Sequence, residues 1–165
     1  MSVKMLDKIS LYLNRVLIYI GSVFLVGMLV LTCANIILRW IWVPIGGTFE
    51  LMGFFGAIVT ASALGYTQIK GGHISVNVLI NTFSEKARKI LKIVNAAVCM
   101  IFFSIASWQI AKLATRIWYT GEVTETLRIA YHPFIYGTAI GFAVLSLVFF
   151  ADLIKTLFSK KENER

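Results

Sequence analysis

The chain has 165 residues, 58% of them hydrophobic and 15% charged, with a formal net charge of +8 and a mean hydropathy of +0.80. Soluble domains carry about 25% charged residues, so this balance excludes an ordinary water-soluble fold. Cys33 and Cys99 offer neither a disulfide framework nor a metal cluster and read as small apolar side chains within the membrane.

At the start of the chain, Leu6, Ile9, Leu13 and Val16 recur at helical spacing, with Asp7, Lys8 and Arg15 on other faces. The pattern predicts an amphipathic helix over 1–15 lying on the membrane surface. Four apolar stretches follow, at about 16–38, 49–69, 90–111 and 133–158, each close to or above the length of about 20 residues that a helix needs to cross a bilayer. They fill more than half of the chain, which predicts one all-α membrane domain over 1–165 with four transmembrane helices. The first apolar run is too long for a cleavable signal and lacks a small-x-small site, so it is expected to persist as span one.

Span one ends at Arg39, a cation suited to a helix C-terminus and to the headgroup region. Trp40, Trp42 and Pro44 then supply an interface anchor and a helix stop. Gly46-Gly47 predict a flexible turn, and Thr48 is the expected N-cap of span two. Within that span Gly53, Ala57, Ala61 and Gly65 fall at every fourth position. Such a stripe lets another helix approach closely, which is how helices associate in lipid. Gly71-Gly72 break the chain after span two. Beyond His73, the set Val76, Leu79, Ile80 and Phe83 predicts a second short interfacial helix on the inner surface.

The basic run Lys86–Lys92 opens span three, which is predicted to continue as helix through Lys112 and Arg116 to Trp118-Tyr119. The outer loop Thr120–His132 holds Glu122, Glu125 and Arg128. Pro133 falls in the first turn of span four. Gly137-x-x-x-Gly141, extended by Leu145, gives a second face for close packing. With both termini cytoplasmic, twelve of the sixteen Lys and Arg lie inside, leaving Arg39, Lys112, Arg116 and Arg128 outside. This positive-inside split makes the basicity a signal of orientation and requires no nucleic-acid partner.

Glu50 is the most conspicuous candidate for chemistry, because a carboxylate within a span costs several kcal/mol by translocon or simulation estimates. It could serve a proton-coupled cation site. It also lies two residues beyond the expected cap of span two, where the helix dipole favours an anion and Arg39 is within reach across the short loop. His73 and His132 raise the question of a haem-bearing subunit, but they are expected at opposite membrane surfaces and so cannot ligate one haem. Asn35 and Asn95 are candidates for hydrogen bonds to neighbouring helices, and Asp152 and Lys155 for a local ion pair. There is no phosphate loop, nucleophile–base pair or metal-ligand spacing, so no enzyme is expected. The spans have intact apolar centres and lack the broken helix pairs of secondary carriers.

One pattern spans these features. Arg39 closes span one, Pro44 follows in the loop and Glu50 opens span two. After span two, Gly72-His73-Ile74-Ser75-Val76-Asn77 resembles the G-x-H-I-x-V-[DN] segment of the small membrane subunit of TRAP transporters, the DctQ-like family. Gly121-Glu122-Val123-Thr124 and Leu127-Arg128-Ile129, approaching Pro133, resemble that family's outer loop. Ala130 departs from it, standing where a proline is expected.

The resemblance implies a sodium-driven tripartite importer in a bacterial inner membrane. An extracytoplasmic, DctP-like binding protein would deliver an organic carboxylate, such as a dicarboxylate or a sialic acid. A large DctM-like membrane subunit would hold the sodium and substrate sites. The small subunit would be a scaffold with no cofactor of its own. On that view Arg39 and Glu50 support the fold or the subunit contact, His73 anchors the inner interfacial helix and Gly121 shapes the outer loop. Two other readings compete: an autonomous proton-coupled carrier using Glu50, and an anchor for a redox complex.

Overall fold

The computed structural model describes residues 3–70 and 85–158. Four helices are present among them: α1 (Val3–Ile41), α2 (Thr48–Ile69), α3 (Glu85–Thr120) and α4 (His132–Phe158). Each is long and apolar enough to cross a membrane. The expected continuation of span three beyond the bilayer is present, since α3 runs for 36 residues, about 54 Å at 1.5 Å per residue.

The helix expected as a separate element over 1–15 is instead continuous with span one. α1 runs unbroken for 39 residues, about 58 Å. Residues 3–20 contain neither glycine nor proline, so nothing in the local chemistry stops the helix. Within this stretch Ser10 and Asn14 are buried, at 4% and 1% exposure. His73 and the helix expected around Val76, Leu79, Ile80 and Phe83 lie outside the described residues.

α4 occupies the centre and packs against the other three helices, while α3 packs on α4 alone to any extent. Burial follows the same arrangement: 44% of the apolar segment of α4 is buried, against 6% of that of α3. Leu145, Val148 and Phe149 of α4 form the core. Phe149 and Phe142 pack against Phe103 of α3, the first of them stacked with ring centroids 5.8 Å apart. Apolar side chains cover most of the outer surface, as lipid in place of water allows. Val98, Phe102 and Trp108 of α3 are examples of these exposed residues.

Close approach at small residues joins α2 to its neighbours, but with half of the expected stripe. A Cβ placed on Gly141 of α4 would lie 2.7 Å from the Ala61 Cβ and 3.0 Å from its carbonyl oxygen. One placed on Gly137 would meet Ile58 at an ordinary 3.7 Å. On α1, Gly21 lies against Ser62 of α2. Ala61 and Gly65 are buried, whereas Gly53 and Ala57 are exposed, and nothing lies within 4 Å of a Cβ on Gly53. The reason is geometric. Residues four apart advance by about 400° on a helix of 3.6 residues per turn, so the stripe winds through about 120° between Gly53 and Gly65.

Gly65 has a partner that the sequence pattern did not single out. The position of a Gly65 Cβ is taken by the Oδ1 of Asn14, whose amide nitrogen donates to the Ser10 carbonyl at 2.9 Å. No conventional donor reaches that Oδ1; the Gly65 Cα–H points at it, the arrangement of a Cα–H···O contact. Gly65→Ala should therefore lower stability by about 1–3 kcal/mol, the usual range for overpacking. Thermal unfolding in detergent would measure the loss, and much of it should vanish in an Asn14→Ala background.

Polar glue between helices also differs from expectation. Asn35 accepts from the Ile45 backbone N–H at 2.8 Å, inside its own connection, and Asn95 accepts a weak bond from Cys99 on its own helix. The bonds between α3 and α4 come from hydroxyls. Ser107 donates to the Ala139 carbonyl at 2.8 Å, Ser104 and Ser146 share a 2.7 Å bond, and so do Thr115 and Tyr136 at 2.8 Å.

Candidate functional site: a clasp between two loops

The 42–47 connection and the 121–131 loop meet at one end of the bundle, and Glu50 joins them. Its carboxylate accepts from the backbone N–H groups of Thr126 at 2.8 Å and Leu127 at 3.2 Å. These successive amides hold one oxygen each, an arrangement that suits a charged acceptor. The expected Arg39 pairing is not formed; Arg39 is exposed at the end of α1. A loop tip that offers two aligned donors satisfies the carboxylate better than one long exposed side chain, whose ion pair would be weak.

The turn before α2 is shaped for this contact. Gly47, in the left-handed region at φ 72°, caps the helix in place of Thr48 and offers no side-chain capping bond. The Leu127 side chain fills the space that a Gly47 Cβ would need. Positive φ and close approach together require glycine here. Thr48 is the first helical residue; it is buried, and its hydroxyl donates to the Ile45 carbonyl at 2.7 Å.

The opposing loop is a tight hairpin. Val123 and Ala130 form an antiparallel bridge. Thr124 N–H donates to the Ile129 carbonyl at 3.0 Å, and Arg128 N–H to the Thr124 carbonyl at 3.1 Å. Arg128 takes a left-handed φ of 51° to close the turn, a conformation uncommon outside glycine, asparagine and aspartate. Ala130, where the family resemblance led to an expectation of proline, sits in the bridge.

Gly121 makes the transition from α3 into this hairpin. Its φ is 66°; its N–H bonds the Trp118 carbonyl and the Glu122 N–H bonds the Ile117 carbonyl, both at 3.3 Å. This is the Schellman pattern that ends helices at a left-handed glycine. The Glu122 carboxylate accepts from the Tyr131 hydroxyl at 2.7 Å and the Thr120 hydroxyl at 3.0 Å. The Tyr131 bond, then the Thr120 bond, holds the Glu122 carboxyl below its ordinary range, and the first of these pushes the Tyr131 phenol up. The pair's contribution is present at neutral pH. It is lost as the pH falls through the lowered carboxyl value or rises through the raised phenol value. Pro133 lies in the first turn of α4, and Tyr131 and Phe134 stack on either side against Phe54 of α2, with centroids 5.8 and 5.0 Å away.

At the other end, Gln68 of α2 donates to Asp152 of α4 at 3.1 Å, and Asp152 pairs with Lys155 at 3.9 Å, the expected i,i+3 contact. No group of three metal-ligating side chains occurs among the described residues. The clasp can fix one loop against another, and neither of its carboxylates is left without a donor.

Residues 28–159 match the family model described as tripartite ATP-independent periplasmic transporters, DctQ component. No curated protein and no solved structure matches the chain.

Proposed function

Since the chain belongs to the DctQ component family of the tripartite ATP-independent periplasmic transporters, and is thus a small, multi-pass, non-enzymatic subunit of such a system, we propose that it acts as the scaffold of a sodium-driven importer. In this reading it braces a large DctM-like subunit that carries sodium and an organic carboxylate. A DctP-like binding protein delivers the solute from outside, and both termini face the cytoplasm of a bacterial inner membrane. The twelve-to-four distribution of Lys and Arg supports that orientation.

The observation that carries the scaffold role is the use made of Glu50. A carrier carboxylate must exchange protons or cations during its cycle, whereas both oxygens of Glu50 are committed to the amides of Thr126 and Leu127. The spans hold one further carboxylate, Asp152, and it is bonded near the end of α4. A protein that ties one loop to another and, among its described residues, commits both carboxylates of its spans to hydrogen bonds is suited to bracing a partner.

Affinity purification of a tagged copy from its native membrane in mild detergent tests the reading. A stoichiometric, much larger polytopic chain is expected to co-purify. A lone chain, or proton flux by the reconstituted protein that disappears in Glu50→Gln, would overturn it.

A further inference from the structure

The flank of the α1–α2 pair carries two adjoining cavities that differ in chemistry. The first, of about 560 Å³, is lined by Asn14, Arg15 and Tyr19 of α1 and by Tyr66 and Lys70 of α2, among others. The second, of about 290 Å³, is lined mainly by apolar groups, Leu25, Val59 and Ala63 among them, with the hydroxyls of Ser22, Ser62 and Thr67. Ile18 and Tyr66 line both, so the cationic cleft and the mainly apolar groove adjoin along these two side chains.

Their depth in the membrane follows from helix geometry. Arg15 and Arg39 are 24 residues apart on α1, about 36 Å, which brackets a hydrocarbon core of about 30 Å. Arg15 therefore falls at headgroup level when Arg39 does, and Lys70, just past the end of α2, shares its level across the cleft. Among the described residues neither cation pairs with a carboxylate. The Lys70 ammonium lies 5.7 Å from the centroid of the Tyr66 ring, which keeps it against the wall of the cleft.

We propose that this paired cavity binds an anionic glycerophospholipid, with its phosphate between Arg15 and Lys70 and one acyl chain along the groove beside Leu25, Val59 and Ala63. A guanidinium fork and an ammonium suit a phosphate. A free phosphate ion would use the cleft alone, whereas the adjoining, mainly apolar groove calls for an amphiphile. The Tyr19 and Tyr66 rings give the junction the amphipathic lining found at membrane interfaces.

The test is lipid retention measured by native mass spectrometry on the delipidated full chain, titrated separately with phosphatidylglycerol and phosphatidylcholine. Phosphatidylglycerol should be retained at least tenfold better. The double variant Arg15→Gln, Lys70→Gln should remove that preference. Ala63→Trp, which fills the groove and leaves the cations in place, should lower retention of both lipids. Equal retention of the two lipids by the unaltered chain, unchanged preference in the double variant, or full displacement by inorganic phosphate would each overturn the proposal. Loss of retention in Ala63→Trp with helical circular dichroism preserved would separate the site from a folding defect.

Discussion

Replacing Gly141 with leucine is expected to prevent α2 and α4 from packing and to abolish the folded chain. A Cβ alone would sit 2.7 Å from the Ala61 Cβ and 3.0 Å from the Ala61 carbonyl oxygen, and the second of these is backbone, which cannot rotate away. Overpacking of this kind costs about 1–3 kcal/mol or more, and leucine adds three further carbons to the clash. Because α4 also carries the contacts to α1 and α3, moving it breaks the core around Leu145 and Val148 as well. Gly141→Ala should show an intermediate loss. Gly53→Leu, at a position with nothing within 4 Å, should leave the stability within about 0.5 kcal/mol of that of the unaltered chain. Size-exclusion profiles and unfolding midpoints in one detergent would check all three; an unaltered midpoint for Gly141→Leu would refute the close packing.

The second large effect is expected at Glu50. Glu50→Ala removes the charged acceptor of two backbone amides at once, and hydrogen bonds to a charged acceptor are stronger than neutral ones. The pair is partly exposed, so the Thr126 and Leu127 amides should exchange with deuterium roughly tenfold faster. Glu50→Gln keeps an acceptor oxygen without the charge and should fall between. The interhelical bond of Ser107 to Ala139, remote from the clasp, should leave the α3–α4 pair protected in both variants. Unchanged exchange at 126 and 127 would show that the hairpin holds itself without the carboxylate.

The helices themselves were legible in the sequence because their cause is local: a long run of mostly apolar residues, with charge and proline confined to its ends, dictates a spanning helix whatever its neighbours. Gly141 and Pro133 were legible for the same reason, since a glycine pair and a first-turn proline each leave a short-range mark; Gly121 was singled out only through the family resemblance, and its left-handed helix end was not read from the sequence. The partner of Glu50 was not. Its donors are backbone amides 76 and 77 positions away, and an N–H group is common to nearly every residue, so no residue type announces it. Asn14 was missed because its partner is the absence of a side chain at Gly65. The hydroxyls of Ser104 and Ser107 were missed because serine in a span can also bond the carbonyl four residues back on its own helix. Rotation of the period-four stripe away from its neighbours, by contrast, follows from arithmetic on the sequence alone.

The span of 76 residues between Glu50 and its first donor also sets an order of events during synthesis. Ribosomes add about 5–20 residues each second, so the carboxylate exists for about 4–15 s before the amides that will hold it. α1 is already made when that interval begins, and the rest of α2 and all of α3 follow within it, yet the tie that joins the first hairpin to the second cannot form. The clasp therefore closes late, after the third helix is complete and as the fourth begins. A nascent chain halted after α3 would carry Glu50 without its two donors, a charge left unsatisfied in addition to the core that α4 has yet to supply.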